Sequence, residues 1–199
     1  MSIEDETRRL SASIVLDADL RRDERYSRFA LLCRDGRYRY VLGHVLSVPV
    51  ASMPRSVLGV VMFNPSTADA DKSDPTMRRL TALAQSAGAT SVLVGNLYAV
   101  RSSEPREVFT SPNPVGAHND EALRAIARAS DRILCAWGGC GGLSSAERTR
   151  KVIALLSESG KPLVRLGATS MGEPRHPLFF KAPEGALRLE PLVWHQRDR

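Results

Sequence analysis

The chain has 199 residues, 43% of them hydrophobic and 25% charged, with a formal net charge of +6. That length allows one sizeable core, and no repeat or low-complexity tract divides it. No apolar run approaches the ~20 residues a membrane-spanning helix needs, and MSIEDETRRL lacks the apolar centre of a secretory signal. Cys33, Cys135 and Cys140 are too few and too irregular for a disulfide scaffold or a zinc set. The expectation is a soluble, unexported protein of the reducing cytoplasm, with no membrane partner. The positive surplus lies in residues 148–199, with ten Lys/Arg against five Asp/Glu; residues 1–39 hold nine against eight. Such a tail fits phosphate contact, and it fits an inert solvated face as well.

In chain order, the pattern predicts one α/β domain over residues 1–199, with 1–50 a β-rich extension and 57–181 the core. DLRRDERYSR is charged and reads as solvated. FALLCRDGRYRYVLGHVL holds two strand-like runs about Asp35-Gly36, a type I′ hairpin signal. SVPVASMPRS links the hairpin to SVLGVVMFN, whose nearly continuous apolar character marks a strand covered on both faces. Asp74-Pro75 supplies a helix cap and a first-turn proline. Met77, Leu80, Leu83, Ala84 and Ala87 then recur at helical spacing as far as Gly88.

TSVLVGN is a second buried strand. HNDEALRAIARAS is a helix with Ala122, Leu123 and Ile126 inward, and RILCAWG is a third strand. Ser144 and Glu147 have capping-box spacing for a helix carrying Val152, Ile153, Leu155 and Leu156 up to Gly160, before the strand PLVRLG. This alternation predicts a three-layer α/β/α fold with a mainly parallel central sheet, extended at its edges by the N-terminal β-hairpin and by GALRLEPLVW.

Ligands of open α/β sheets collect beyond the carboxyl ends of the strands. Here those ends read Asn64-Pro65-Ser66, Asn96-Leu97-Tyr98, Trp137-Gly138-Gly139 and Gly167-Ala168-Thr169. Asn64 either fixes a turn or offers its carboxamide to a water or a ligand edge. Asp69, Asp71 and Asp74 either cap and solvate a loop or hold a hard cation, although DADKSD lacks the glycine and final glutamate of a calcium loop. Gly138, Gly139, Gly141 and Gly142 form either a tight turn or a phosphate cradle, without GxGxxG or Walker spacing. Cys140 has no basic partner visible in sequence and is not selected as a nucleophile. His176 is a packed loop residue or a hydrogen-bond donor to a developing anion. The adjoining Leu178-Phe179-Phe180 either closes the core or enters a base stack.

The succession FNPSTAD, DPTMRRL, GNLYAVRSSEP, NPVGAHND, AWG and RHPLF, over roughly residues 37 to 181, resembles an uncharacterised bacterial family of the "domain of unknown function" type. The layout is also distantly similar to the uracil-DNA glycosylase superfamily. That similarity implies a site opened by MFNPS, with Asn64 orienting the attacking water and Pro65 and Ser66 completing the turn. It implies that Asn96, in VLVGNLYAVR, reads the base edge, with Tyr98 and Arg101 following it. It also implies that RHPLFF brings Arg175, a catalytic His176 and a wedging Leu178 to the substrate, with no metal or organic cofactor. Met62 and Ser66 depart from that superfamily's glycines, and no serine-proline follows His176-Pro177.

The resulting expectation is a glycosylase-like hydrolase acting on the N-glycosidic bond of a nucleobase in DNA or a nucleotide. A non-catalytic module that binds a nucleotide or modified base is the alternative, and a metal-assisted phosphate enzyme is a minor one.

Overall fold

The computed structural model describes residues 1–16, 20–66, 75–139, 146–181, 187 and 189–192. Asp69, Asp71, Asp74, Cys140, Gly141, Gly142 and Ser144 lie outside them, so the metal, glycine-cradle and capping readings made on those residues do too.

Helix α1 (Ile3–Ala12) opens the fold. Ser2 accepts the Asp5 N–H at 3.1 Å while the Asp5 carboxylate accepts the Ser2 N–H at 2.9 Å, a reciprocal cap. Strand β1 (Arg21–Arg25) follows and pairs with β2 (Arg28–Leu32), which in turn pairs with β3 (Arg39–Val45), both antiparallel. The charged segment read as solvated is therefore an edge strand, exposed at four of its five residues. Charge on an edge strand blocks pairing with other chains. The β2–β3 turn closes by a Gly36 N–H bond to the Cys33 carbonyl at 3.0 Å. Gly36 has φ +73° and Asp35 is not left-handed, so the type I′ expectation is replaced by a longer turn with one left-handed glycine.

The core elements follow where the pattern put them: β4 (Val57–Met62), α2 (Pro75–Ser86), β5 (Ser91–Asn96), α3 (Asn119–Ala129), β6 (Arg132–Cys135), α4 (Ala146–Ser157) and β7 (Leu163–Arg165). A two-residue β8 (Glu190–Pro191) pairs antiparallel with β7. The eight strands form one mixed sheet in the order β1-β2-β3-β5-β4-β6-β7-β8.

The expectation of a mainly parallel sheet is corrected here. The β4/β5, β4/β6 and β6/β7 pairings are parallel, but β1/β2, β2/β3, β3/β5 and β7/β8 are antiparallel. The reason lies in the N-terminal hairpin, which adds to β5 as part of the same sheet, so the parallel βαβ units make only its centre.

Side-chain alternation divides the core into two faces. Leu58, Val60, Val92, Val94 and Leu134 pack with Met77, Leu80, Leu83 and Ala84 of α2. On the opposite face, Leu93 joins Leu10 of α1 and Ile126 of α3, while Val61, Ile133 and Cys135 join Leu123 of α3 and Val152 and Leu156 of α4. Helices α2 and α3 lie on opposite faces because the β4-to-β5 and β5-to-β6 crossovers run in opposite directions with the same right hand. Among the described residues, no helix is long and apolar enough to cross a membrane.

Candidate functional site

The reversal of strand order creates a crevice between the carboxyl ends of β4 and β6, since the chain leaves β4 toward β5 and later passes back to β6. A cavity of about 430 Å³ opens there. Phe63 and Asn64 enter it from the end of β4, and Trp137, Gly138 and Gly139 from the end of β6. Thr169, Arg175, His176 and Phe179 enter from the chain after β7, and Pro105 from the loop after β5. Size and lining are those of a small-ligand site, apolar walls with a few polar groups converging.

The walls are aromatic and braced from behind. Phe63 is 4% exposed and lies edge-on to Tyr98 at 5.3 Å, which lies edge-on to Phe109 at 5.2 Å. Trp137 is fully buried, and its indole N–H donates to the Glu173 carboxylate at 2.7 Å. Phe179 is 76% exposed and stands 5.9 Å from the His176 ring. A buried aromatic floor with one exposed ring at the mouth suits a flat ligand.

Asn64 is both a turn residue and a cavity residue. Its side-chain amide donates to the Pro65 carbonyl at 3.0 Å and to the Ser102 carbonyl at 2.8 Å, tying the end of β4 to the loop after β5. Two carbonyl acceptors fix the orientation of the carboxamide and leave its Oδ1 as the polar atom Asn64 offers the cavity. His176 is positioned by its own 3₁₀ turn, Pro177–Phe179, where its Nδ1 accepts the Leu178 N–H at 3.3 Å. An accepting Nδ1 puts the proton of the neutral ring on Nε2, as a donor.

The segment carrying His176 is held by a dense set of bonds. Arg175 N–H donates to Gly167 O at 3.0 Å, Thr169 N–H to Glu173 O at 2.8 Å and Gly138 N–H to Pro174 O at 2.8 Å. From the other face, the Arg79 guanidinium of α2 donates to the Phe180 carbonyl at 2.8 Å. Gly138 has φ +70°, and a Cβ there would stand 3.1 Å from His176 Cβ, so a glycine is what lets the two strand-end loops approach.

Of the residues expected at the site, Asn64, Arg175 and His176 therefore share one cavity. The others stand elsewhere. Pro65 is buried, its carbonyl accepting from Asn64 and Ser102, and neither it nor Ser66 lines the cavity. Tyr98 sits behind Phe63. Arg101 turns away, donating to Gly36 O at 3.3 Å. Leu178 is 44% exposed and outside the lining. Phe180, by contrast, packs on the core.

Asn96 is 1% exposed at the end of β5, away from the cavity lining. Gly95 faces Ile126 and Leu123 of α3, so strand alternation turns Asn96 to the α2 face. Its amide nitrogen and oxygen have no hydrogen-bond partner among the described residues.

Sequence reasoning did not select Phe63, Trp137, Thr169 or Phe179. The available signal was position, since Phe63 directly follows β4 and Trp137 and Thr169 lie within a few residues of the ends of β6 and β7. Among the described residues, no group of three or more His, Cys, Asp and Glu is gathered as a metal site. Burial alone pushes the Cys135 thiol well up, so it is no nucleophile.

No curated protein and no solved structure matches the chain. A family model does, over residues 39–178, from β3 to the turn that follows His176. Among the described residues, the match takes in every one lining the cavity except Phe179, and it covers well over half of the chain. The chain belongs to the family described as "Protein of unknown function (DUF1643)".

Proposed function

We propose that the cavity is a nucleobase pocket and that the protein is a glycosylase-like hydrolase, acting on the N-glycosidic bond of a nucleobase in DNA or a nucleotide. The observation that carries this reading is that Asn64 and His176, from strands on either side of β6, line one cavity walled by Phe63, Trp137 and Phe179. Aromatic faces stack any base and exclude water from it. Asn64 Oδ1 accepts a hydrogen bond from a water and aims its lone pair at the sugar carbon. The carbon–nitrogen bond breaks with its electron pair leaving on the base, the water oxygen bonds to the carbon, and the surplus proton passes to solvent. His176 Nε2–H donates to the departing base and stabilises its charge. This chemistry requires no metal or organic cofactor.

The distant similarity to uracil-DNA glycosylases supports the assignment of roles to Asn64 and His176. The departures at Met62 and Ser66 and the missing serine-proline after His176-Pro177 point to a substrate other than that superfamily's, or to a fold kept without glycosylase activity. A second reading, a non-catalytic module for a nucleotide or modified base, is favoured by one observation: among the described residues, no carboxylate lines the cavity to take a proton from water.

Mass spectrometry of free base released from natural and modified DNAs and nucleosides separates the two. The hydrolase releases a base, and Asn64→Ala abolishes the release. Binding without release assigns the module, and neither binding nor release overturns the nucleobase pocket.

A further inference from the structure

We infer that the rim of the cavity on the β7 side is an anion subsite, so that the ligand carries a phosphate on its sugar; this rests on the nucleobase reading. Three hydrogen-bond donors line this one cavity, with no acidic residue among its described lining. Arg175 Nε is pinned to the Ala168 carbonyl at 2.7 Å, which orients the guanidinium and leaves both terminal nitrogens without an acceptor among the described residues. The Thr169 hydroxyl accepts the Glu173 N–H at 3.2 Å, so its own hydrogen remains to be donated. The Gly139 N–H makes no hydrogen bond among the described residues, and no atom lies within 4 Å of where its Cβ would be. A planar guanidinium held at Nε presents a two-toothed donor edge, the geometry that matches a phosphate oxygen pair. A hydroxyl and a glycine N–H complete a donor set around tetrahedral oxygens.

The electrostatics agree. Among the described residues, the cavity lining includes no Asp or Glu. Glu173 turns its carboxylate to the Trp137 indole. Glu190 lies on the same side of Gly167 as the Arg175 side chain, but it is paired with Arg165 Nε at 3.3 Å. The shared chemistry is a phosphate ester, which a free nucleotide and a nucleic-acid strand both supply.

The test measures binding to the full chain of the common ribo- and deoxyribonucleosides, their 5′-monophosphates, ribose 5-phosphate and short single-stranded oligonucleotides. The expected result is that monophosphates bind about tenfold or more tighter than the matching nucleosides, a charged hydrogen-bond pair being lost otherwise. Arg175→Lys, which keeps the charge but not the forked edge, and Arg175→Ala should both shrink that ratio toward one, with monophosphate affinity falling much more than nucleoside affinity. Equal affinity for nucleoside and monophosphate overturns the anion subsite and leaves the base pocket standing. Ribose 5-phosphate binding as tightly as the nucleotides, with the same dependence on Arg175, supports the subsite and overturns the base pocket. An oligonucleotide outcompeting every mononucleotide supports the subsite and assigns its phosphate to a strand. No binding by any probe overturns both.

Discussion

Replacing Gly138 by alanine tests how the site is assembled. Gly138 sits at φ +70°, a conformation that costs an L-residue roughly 1–2 kcal/mol. The new Cβ would also stand 3.1 Å from His176 Cβ, so one of the two loops must give by a few tenths of an ångström. Neither loop is free to do so cheaply, because Gly138 N–H is bonded to Pro174 O, two residues before His176. The neighbouring Gly139 is the internal control, since its φ is not left-handed and a Cβ there meets nothing within 4 Å. For a chain of this size about 1–2 kcal/mol lowers the melting temperature by roughly 2–8 °C. Calorimetry or thermal fluorescence on Gly138→Ala and Gly139→Ala reads the difference. Gly138→Ala should melt several degrees lower and weaken ligand binding, while Gly139→Ala stays near wild type in stability. Equal melting temperatures for the two variants would refute the packing of the β6 end against the His176 segment.

Two further predictions concern the scaffold. His44, half-buried on β3 beside Thr81 of α2, is pushed down to about 4 from 6.5, by burial first and the Arg28 charge second. The unfolded chain therefore takes up this proton before the folded one does. The stability carried by neutral His44 is complete above about 6.5 and is lost as pH falls through about 4, a loss of up to ~3 kcal/mol. Denaturant titrations between pH 7 and 4 should show a shallower acid loss in His44→Gln than in wild type, and parallel slopes would contradict the assignment. Glu6 of α1 has a fully buried side chain, bonded to Arg9 at 2.9 Å and to Arg55 at 3.1 Å. Burial works to raise its carboxyl, but the two guanidiniums prevail and hold it below the usual range. Glu6→Ala removes the tie between α1 and the chain before β4 and should cost about 1–3 kcal/mol in equilibrium unfolding, since both arginines keep part of their solvent contact. An unchanged unfolding midpoint would show that the tie carries no stability.

The legible parts of the fold were those where burial imposes a pattern. VLGVVM and SVLVGN are covered on both faces and read as strands without help from context. The α2 stripe of Met77, Leu80, Leu83 and Ala84 is likewise the stripe that meets the sheet. Helix α1 was not legible because its buried side includes the polar Glu6, Thr7 and Ser11, with Glu6 and Ser11 tied to Arg55 and Glu24, partners distant in sequence. Nor was β1, RRDER, because an edge strand of charged residues has no apolar alternation to show.

The site divides in the same way. Asn64 was found from its place after a strand end, and His176 from the RHPLFF loop and the resemblance it carries. Asn96 stands after a strand end too, yet it faces α2, because one residue of strand alternation with Gly95 reverses its direction. The carboxyl end of a strand therefore narrows the choice to a few residues, and only side-chain parity decides which of them reach the cavity.

The most direct test of the central claim, a base held between Asn64 and His176 in the crevice of β4 and β6, is a crystal structure of the Asn64→Ala protein with a nucleoside 5′-monophosphate. The account predicts the base ring against Phe63 and Phe179, an edge of it within hydrogen-bonding reach of His176 Nε2, and the phosphate on Arg175. A ligand seated beside Asn96 on the α2 face, with the crevice holding only solvent, would contradict it.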